Sequence, residues 1–330
     1  MIPQQPAPRR LSVGSAASEA MDLVRARLFP FRLDRWLPLG FVTFLDRCGR
    51  TGGGPTSGGS GRLPGSSSDI GNGGPSVGEV IQNAKDWIGE HLLVVVAISA
   101  IVLVLIVTII AIVLWLNSRG VFMYADNVAS GRFDIARPWR EHAGHAWSYF
   151  GWTFGLSLVG CFGALVLVAP IVLFVISLFS SGASPLAILG IIALGLLLIL
   201  WAIVVNLFSL VLRDFAAPLQ MLLDVRCGKA LGVASGIVRA NVGSFVIYVV
   251  LKMVFAIVAG ITALLAGCFT CCLGFLPVIH HTLLQPLYYF ERAWSLCLLR
   301  QAGYDLFPAP PPPEPPPAPL APPEPLPVLG

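Results

Sequence analysis

The sequence predicts an all-α fold, a polytopic helical bundle set in a membrane, and three observations carry that prediction. Leu92 to Leu116 continues for about 25 residues without a charge, more than the roughly 20 that an α-helix needs to cross a hydrocarbon core. Comparable apolar runs recur at Tyr149 to Phe179, Pro185 to Leu212, Phe245 to Gly267 and Cys272 to Phe290. Apolar residues make up 56% of the chain and charged residues 12%, about half the usual charged share, so the whole chain cannot be a soluble globule. Runs this long and uniformly apolar satisfy their backbone groups in lipid only as helices, because barrel strands are short and alternate in polarity.

Residues 1–48 form a basic N-terminal segment. Its apolar stretch, Trp36 to Leu45, has about ten residues between Asp34-Arg35 and Asp46-Arg47, enough as a helix for about half the core. Taken alone it reads as an interfacial helix on a five-span protein. Arg9, Arg10, Arg25, Arg27, Arg32 and Arg35 precede it and favour a short first crossing, making six spans. No cleavable signal peptide is expected, since the apolar stretch lies too far into the chain and lacks a small-residue cleavage site. Residues 49–78 are dominated by Gly and Ser and read as a disordered linker. TGGGPTSGGSGR within it lacks the Gly-Lys-Ser/Thr ending and the preceding strand of a phosphate loop.

Residues 79–307 hold the transmembrane bundle, with spans expected at 92–116, 149–179, 185–212, 245–267 and 272–290. Lys and Arg in short loops set its orientation. Arg119, Arg132, Arg137 and Arg140 follow the first span, Arg213, Arg226, Lys229 and Arg239 follow the third, and Arg292 and Arg300 follow the last. Ser180 to Ser184 and Gly267 to Cys271 carry no charge. The Arg-bearing loops and the C-terminus are therefore expected in the cytoplasm of a bacterium, with the chain in its inner membrane. Spans 149–179 and 185–212 are longer than the core is thick, so they must tilt, kink near Pro170 or project beyond it. Gly155, Gly160, Gly163, Gly190 and Gly195 allow their backbones to approach closely.

Two stretches repeat a pattern. Gly131-Arg132 leads through mixed polarity into Tyr149-Phe150 and a span, and Gly228-Lys229 leads likewise into Phe245, so each reads as an interfacial helix feeding a crossing. Arg32 to Arg35 before Trp36 is a degenerate third copy. Arg137, Arg140 and Arg239 are the candidate contacts to lipid headgroup phosphates, with Trp139, Trp147, Tyr149 and Trp152 at the aromatic belt. Residues 308–330 form a disordered Pro-rich tail of extended polyproline II character. Its PxxP spacings between Pro308 and Pro327 offer a site for a protein partner with an aromatic-lined groove.

Ionisable residues within spans are the default place to seek function, because burying them is costly. Lys252, His280, His281 and Gln285 make up the candidate intramembrane polar site. No acidic residue falls within the apolar runs, so Lys252 is expected to snorkel to the interface. His280 and His281 lie between Pro277 and Pro286, which are expected to kink the helix; hydrogen bonds to Gln285 or Asn206 are the simpler role for them and a proton relay the bolder one. Cys268, Cys271 and Cys272 form a C-x-x-C-C cluster and are weak candidate metal ligands, since small apolar thiols also suit a tight hairpin tip. His142 and His145 read as a solvated face. No G-x-S-x-G, H-E-x-x-H or Gly-rich strand-to-helix fingerprint occurs, so no enzyme, no cofactor and no nucleic-acid partner is expected.

Arg213-Asp214-Phe215, Ala217-Pro218-Leu219-Gln220-Met221, Arg239-Ala240-Asn241-Val242-Gly243-Ser244-Phe245 and the closing CFTCCLGFLP and PLYYFERAWSLCLLRQAGYDLFP resemble a family of uncharacterised bacterial multi-pass membrane proteins. These are distantly similar to the membrane domain attached to some glycerophosphodiester phosphodiesterases. The resemblance covers about Leu23 to Pro308 and is best from Arg213 onward. It implies a membrane-embedded helical fold and no activity. The phosphodiesterase domain itself has no counterpart, and the pair His280-His281 departs from the small or apolar residues that the resemblance implies there.

Two functions fit these features. The first is a non-catalytic membrane scaffold or adaptor that grips lipid through its basic interfacial helices and offers the Pro-rich tail to a partner. The second is a transporter or lipid-handling permease with a site near His280 and His281 between the repeated helix units. The long, uniformly apolar runs lack the polar stripe of a water-filled path and favour the scaffold.

Overall fold

The computed structural model describes residues 11–48, 87, 89–181, 184–270 and 276–308. The linker at 49–78, the tail beyond 308, Cys271 and Cys272 lie outside the described residues. Among the described residues every regular element is helical. Helix α1 is Val13–Leu28, capped by the Ser12 hydroxyl, which accepts from the Ser15 amide. Helix α2, Leu33–Arg47, follows it.

Helix α3, Leu92–Ser130, has 39 residues and ends at Gly131, whose φ of 68° gives the left-handed cap that glycine accepts without strain. After the short α4, Ala136–Glu141, comes α5, Ala143–Ser181. Ser184 caps α6, Pro185–Val211, with Pro185 in the first turn, where its missing N–H costs nothing. A π-helical turn, Leu212–Ala216, joins α6 to α7, Ala217–Leu223. Helices α8, Cys227–Ala240, and α9, Val242–Phe269, are followed by α10, Pro277–Leu283, and α11, Gln285–Gln301.

Among the described residues four helical stretches are long and apolar enough to cross a membrane: Leu92–Ser130, Ala143–Leu178, Pro185–Leu223 and Val242–Phe269. Their apolar halves turn Val, Ile and Leu outward. Leu103, Leu173, Leu196 and Ile257 are each more than half exposed. In lipid such surface needs no protein cover. The opposite ends converge on a packed core of α1, α2, α7, α11 and the 117–130 end of α3, with Phe122, Tyr124, Leu212, Leu219, Tyr289 and Leu296 wholly buried.

Two of the predicted spans continue as helix well past the C-terminal ends of their apolar runs. The α3 helix continues past Leu116 through buried Asn117, Ser118 and Asn127, and α6 continues past Leu212 into α7. The fifth run, Cys272 to Phe290, is not one helix over its described part. It breaks at Leu284, because Pro286 lacks an amide donor and is tolerated only in the first turn of a new helix. Trp36 to Leu45 lies inside α2, which packs along the buried end of α3 and against α10. It is not among the four stretches fit to cross.

The repeated pattern has a structural form, since α4 precedes α5 and α8 precedes α9. Helices α5 and α6 pair as a hairpin whose contacts use the glycines. Trp201 donates to the Gly160 carbonyl at 3.2 Å, and a Cβ at Gly163 or Gly190 would meet Trp201 or Phe174. Gly155 and Gly195 face open space.

Candidate functional site

The predicted bundle encloses a knot of charges that the spacing of residues along the chain does not announce. Arg213 and Asp214 lie in the π turn, Lys252 is ten residues into α9, Asp46 and Arg47 end α2, and Glu291 and Arg292 lie in α11. The Arg213 guanidinium meets both oxygens of Asp46 and donates to Glu291 at 3.3 Å. Lys252 pairs with Asp214, stands 3.3 Å from Glu291 and is 3.2 Å from the Tyr248 hydroxyl, which itself donates to Asp214 at 2.9 Å. Arg292 donates to the carbonyls of Arg213 at 3.0 Å and Val121 at 2.8 Å, and lies 3.5 Å from Asp46. Arg47 pairs with Glu291, its guanidinium 4.0 Å from the centre of the Tyr288 ring.

These contacts correct three expectations. Lys252 does not snorkel; it is buried against two carboxylates that reach it from the end of α6 and from α11. Arg213 and Arg292 are not loop residues facing an aqueous phase but lie inside the core. The physical reason is mutual neutralisation: a charge is tolerated in a low-dielectric interior when a partner and further hydrogen bonds accompany it. The π turn is part of the device, since its wider coil carries the consecutive residues Arg213 and Asp214 inward together.

Beside this knot, α6 and α9 stand apart across a groove of about 550 Å³. Its walls are apolar, from Ile199, Ile203 and Leu207 on one side and Met253, Ala256 and Gly260 on the other, and Asn206 is the one polar residue on the α6 wall. Its floor is polar and is made of Arg47, Lys252, Tyr288 and Glu291. Ile199, Ile203 and Met253 are half exposed or more, so the groove opens sideways to the surface that lipid covers.

The structure brings part of the predicted intramembrane site together. Lys252 is in the groove floor, and His280, itself buried, shares a 3.1 Å hydrogen bond with the Tyr288 hydroxyl. The His281 ring stacks on Tyr288 at 5.2 Å between centroids. Gln285 belongs to a separate contact, accepting from Thr43 at 3.2 Å and donating to the Tyr124 hydroxyl at 3.1 Å, so it ties α2, α3 and α11 rather than lining the groove. Asp46, Arg213, Asp214 and Glu291 were missed as site residues; a lysine within a span and without an acidic neighbour in its own run was the signal that acidic partners had to exist.

The remaining candidates are scattered. Arg140 and Arg239 are exposed. Arg137 is taken up by Asp126 at 2.6 Å and Glu141 at 3.0 Å. His142 and His145 do not form a solvated face; they are largely buried beside Phe122, 3.7 Å from Asp126 and 3.2 Å from Asp224. Cys268 is exposed near the end of α9, and among the described residues no group of three or more His, Cys, Asp or Glu is placed to hold a metal ion.

A family model described as a family of unknown function (DUF7544) matches residues 11–300. No curated protein and no solved structure matches the chain, so the likeness to glycerophosphodiester phosphodiesterase membrane domains finds no support there.

Proposed function

The chain belongs to this family of unknown function, and we propose that within it the chain is a non-catalytic, lipid-handling membrane protein that seats an amphiphile in the groove between α6 and α9. One observation carries the reading. The groove joins apolar walls open to lipid with a floor of charged and polar side chains, and that combination suits a molecule with a hydrocarbon chain and a polar head. The carboxylates of the floor and the knot are held by cations, which suits them to binding better than to proton transfer.

The membrane is a bacterial inner membrane in this proposal, with the packed core and the C-terminus on the cytoplasmic side. The Arg-bearing loops support that orientation. A scaffold role is the second reading, and the run of prolines from Pro308 to Pro327 supports it. Quantifying lipid that co-purifies with the full chain separates the two. About one tightly held lipid per chain, lost on Ala256→Trp, is expected of a lipid-handling protein. A scaffold retains no defined lipid and loses a protein partner when the chain ends at Phe307.

A further inference from the structure

We infer that the amphiphile is an acidic lipid, its anionic phosphate head held at the groove floor by Arg47 and its acyl chain lying between α6 and α9. This rests on the reading of the groove as a lipid site and adds the sign of the head.

The charge balance of the knot favours an anionic head. Among the described residues the knot sets three carboxylates, Asp46, Asp214 and Glu291, against four cations, Arg47, Arg213, Lys252 and Arg292, leaving one positive charge in excess. An excess charge next to an apolar cavity is costly, and an anion seated beside it removes the cost. Arg47 is the cation placed to meet it. Its side chain is 21% exposed, against 9% or less for the other three, and it lines the groove. Its Nε is buried with no hydrogen-bond partner, although its guanidinium also binds Glu291 and covers the Tyr288 ring. Guanidinium suits a phosphate, which accepts its planar donors in pairs.

The length of the groove fits an acyl chain. The α6 wall runs from Ile199 to Leu210 and the α9 wall from Val249 to Ala263, about 16 and 21 Å at 1.5 Å per residue. Half of a roughly 30 Å hydrocarbon core is about 15 Å, so the groove matches the acyl region of one leaflet. Its charged floor lies where the lipid-exposed halves of α3 and α6 give way to the packed core, the depth at which a headgroup belongs.

The test is native mass spectrometry of the full chain in detergent with phosphatidylglycerol or phosphatidylcholine of identical chains. The wild type is expected to retain the acidic lipid about tenfold better, because both lipids offer Arg47 the same phosphate but the choline cation cancels the net negative charge that phosphatidylglycerol brings to the excess cation. Arg47→Gln is expected to erase that preference and Arg47→Lys to keep most of it. The lysine variant guards against a fold defect, and thermal unfolding of each variant checks the same point. Equal retention of the two lipids by the wild type, or an unchanged preference in a folded Arg47→Gln, overturns the acidic head and leaves the groove reading standing. Undiminished retention of both lipids by Ala256→Trp overturns the groove itself.

Discussion

The Arg292 guanidinium donates to the Val121 carbonyl across 2.8 Å, joining α11 to α3 in the centre of the core, where the arginine side chain has no exposed surface. A second nitrogen holds the Arg213 carbonyl in the π turn at 3.0 Å. One side chain thus fastens three elements while lying 3.5 Å from Asp46. Arg292→Met leaves two buried carbonyls without these donors and removes a cation from the three carboxylates. Losing a buried partner of this kind costs about 3–5 kcal/mol. Chemical unfolding in detergent is expected to show a loss of that size, and a change below about 1 kcal/mol contradicts the role.

Lys252 and Asp214 make a sharper case, because their pairing replaces the snorkelling that the sequence suggests. A snorkelled lysine and a distant aspartate act independently, so their substitutions add. A buried pair is coupled. The double-mutant cycle of Lys252→Met and Asp214→Asn is expected to give an interaction energy of about 1–3 kcal/mol, with the double variant more stable than the sum of the singles predicts. Strict additivity contradicts the pair.

The four long spans were legible because a membrane helix needs only a run of apolar residues, and Leu92 to Leu116 or Pro185 to Leu212 needs no partner to be recognised. The α3 helix runs past the expected end at Leu116 as far as Gly131, whereas the start of α6 at Pro185 was legible too. The charged knot was not. Asp46, Asp214, Lys252 and Glu291 are far apart in sequence, and counting Lys and Arg in short loops assigns Arg213 and Arg292 to water, since that count knows nothing of carboxylates brought in from other segments. The break at Leu284 was half legible. Pro277 and Pro286 marked a kinked helix, whereas the separation of α10 from α11 depends on the packing of α10 against α2.

That packing depends on glycine. A Cβ on Gly40 would fall on Thr282 of α10, its Cα included, at 2.9 Å, and a Cβ on Gly120 would fall on the backbone of Leu45 and Asp46. Backbone cannot swing aside as a long side chain does. Gly40→Ala and Gly120→Ala are each expected to destabilise by about 1–3 kcal/mol, the usual cost of overpacking. Gly155→Ala and Gly195→Ala, in open space, are the matched controls and are expected to be neutral or slightly stabilising, as alanine favours helix. Ranking the four variants by thermal unfolding checks the contact.

Two thiols outside the spans link the core to pH. Cys227 at the start of α8 and Cys297 in α11 are fully buried, and burial pushes both up to about 12, because a thiolate there has lost its water. In the unfolded chain the same thiols ionise near about 8.5. Below that pH both states hold the proton and the thiols contribute no slope. Between about 8.5 and about 12 the unfolded chain holds fewer protons than the folded one, so stability falls as pH rises. Two outcomes follow. The folded protein in detergent is expected to leave Cys227 and Cys297 unmodified by a soluble maleimide at pH 8, with both labelled on unfolding. Replacing both by Ala is expected to flatten the alkaline loss of stability relative to the wild type. Rapid labelling of either thiol in the folded protein, or an alkaline slope unchanged in the double variant, rules out the buried neutral thiols.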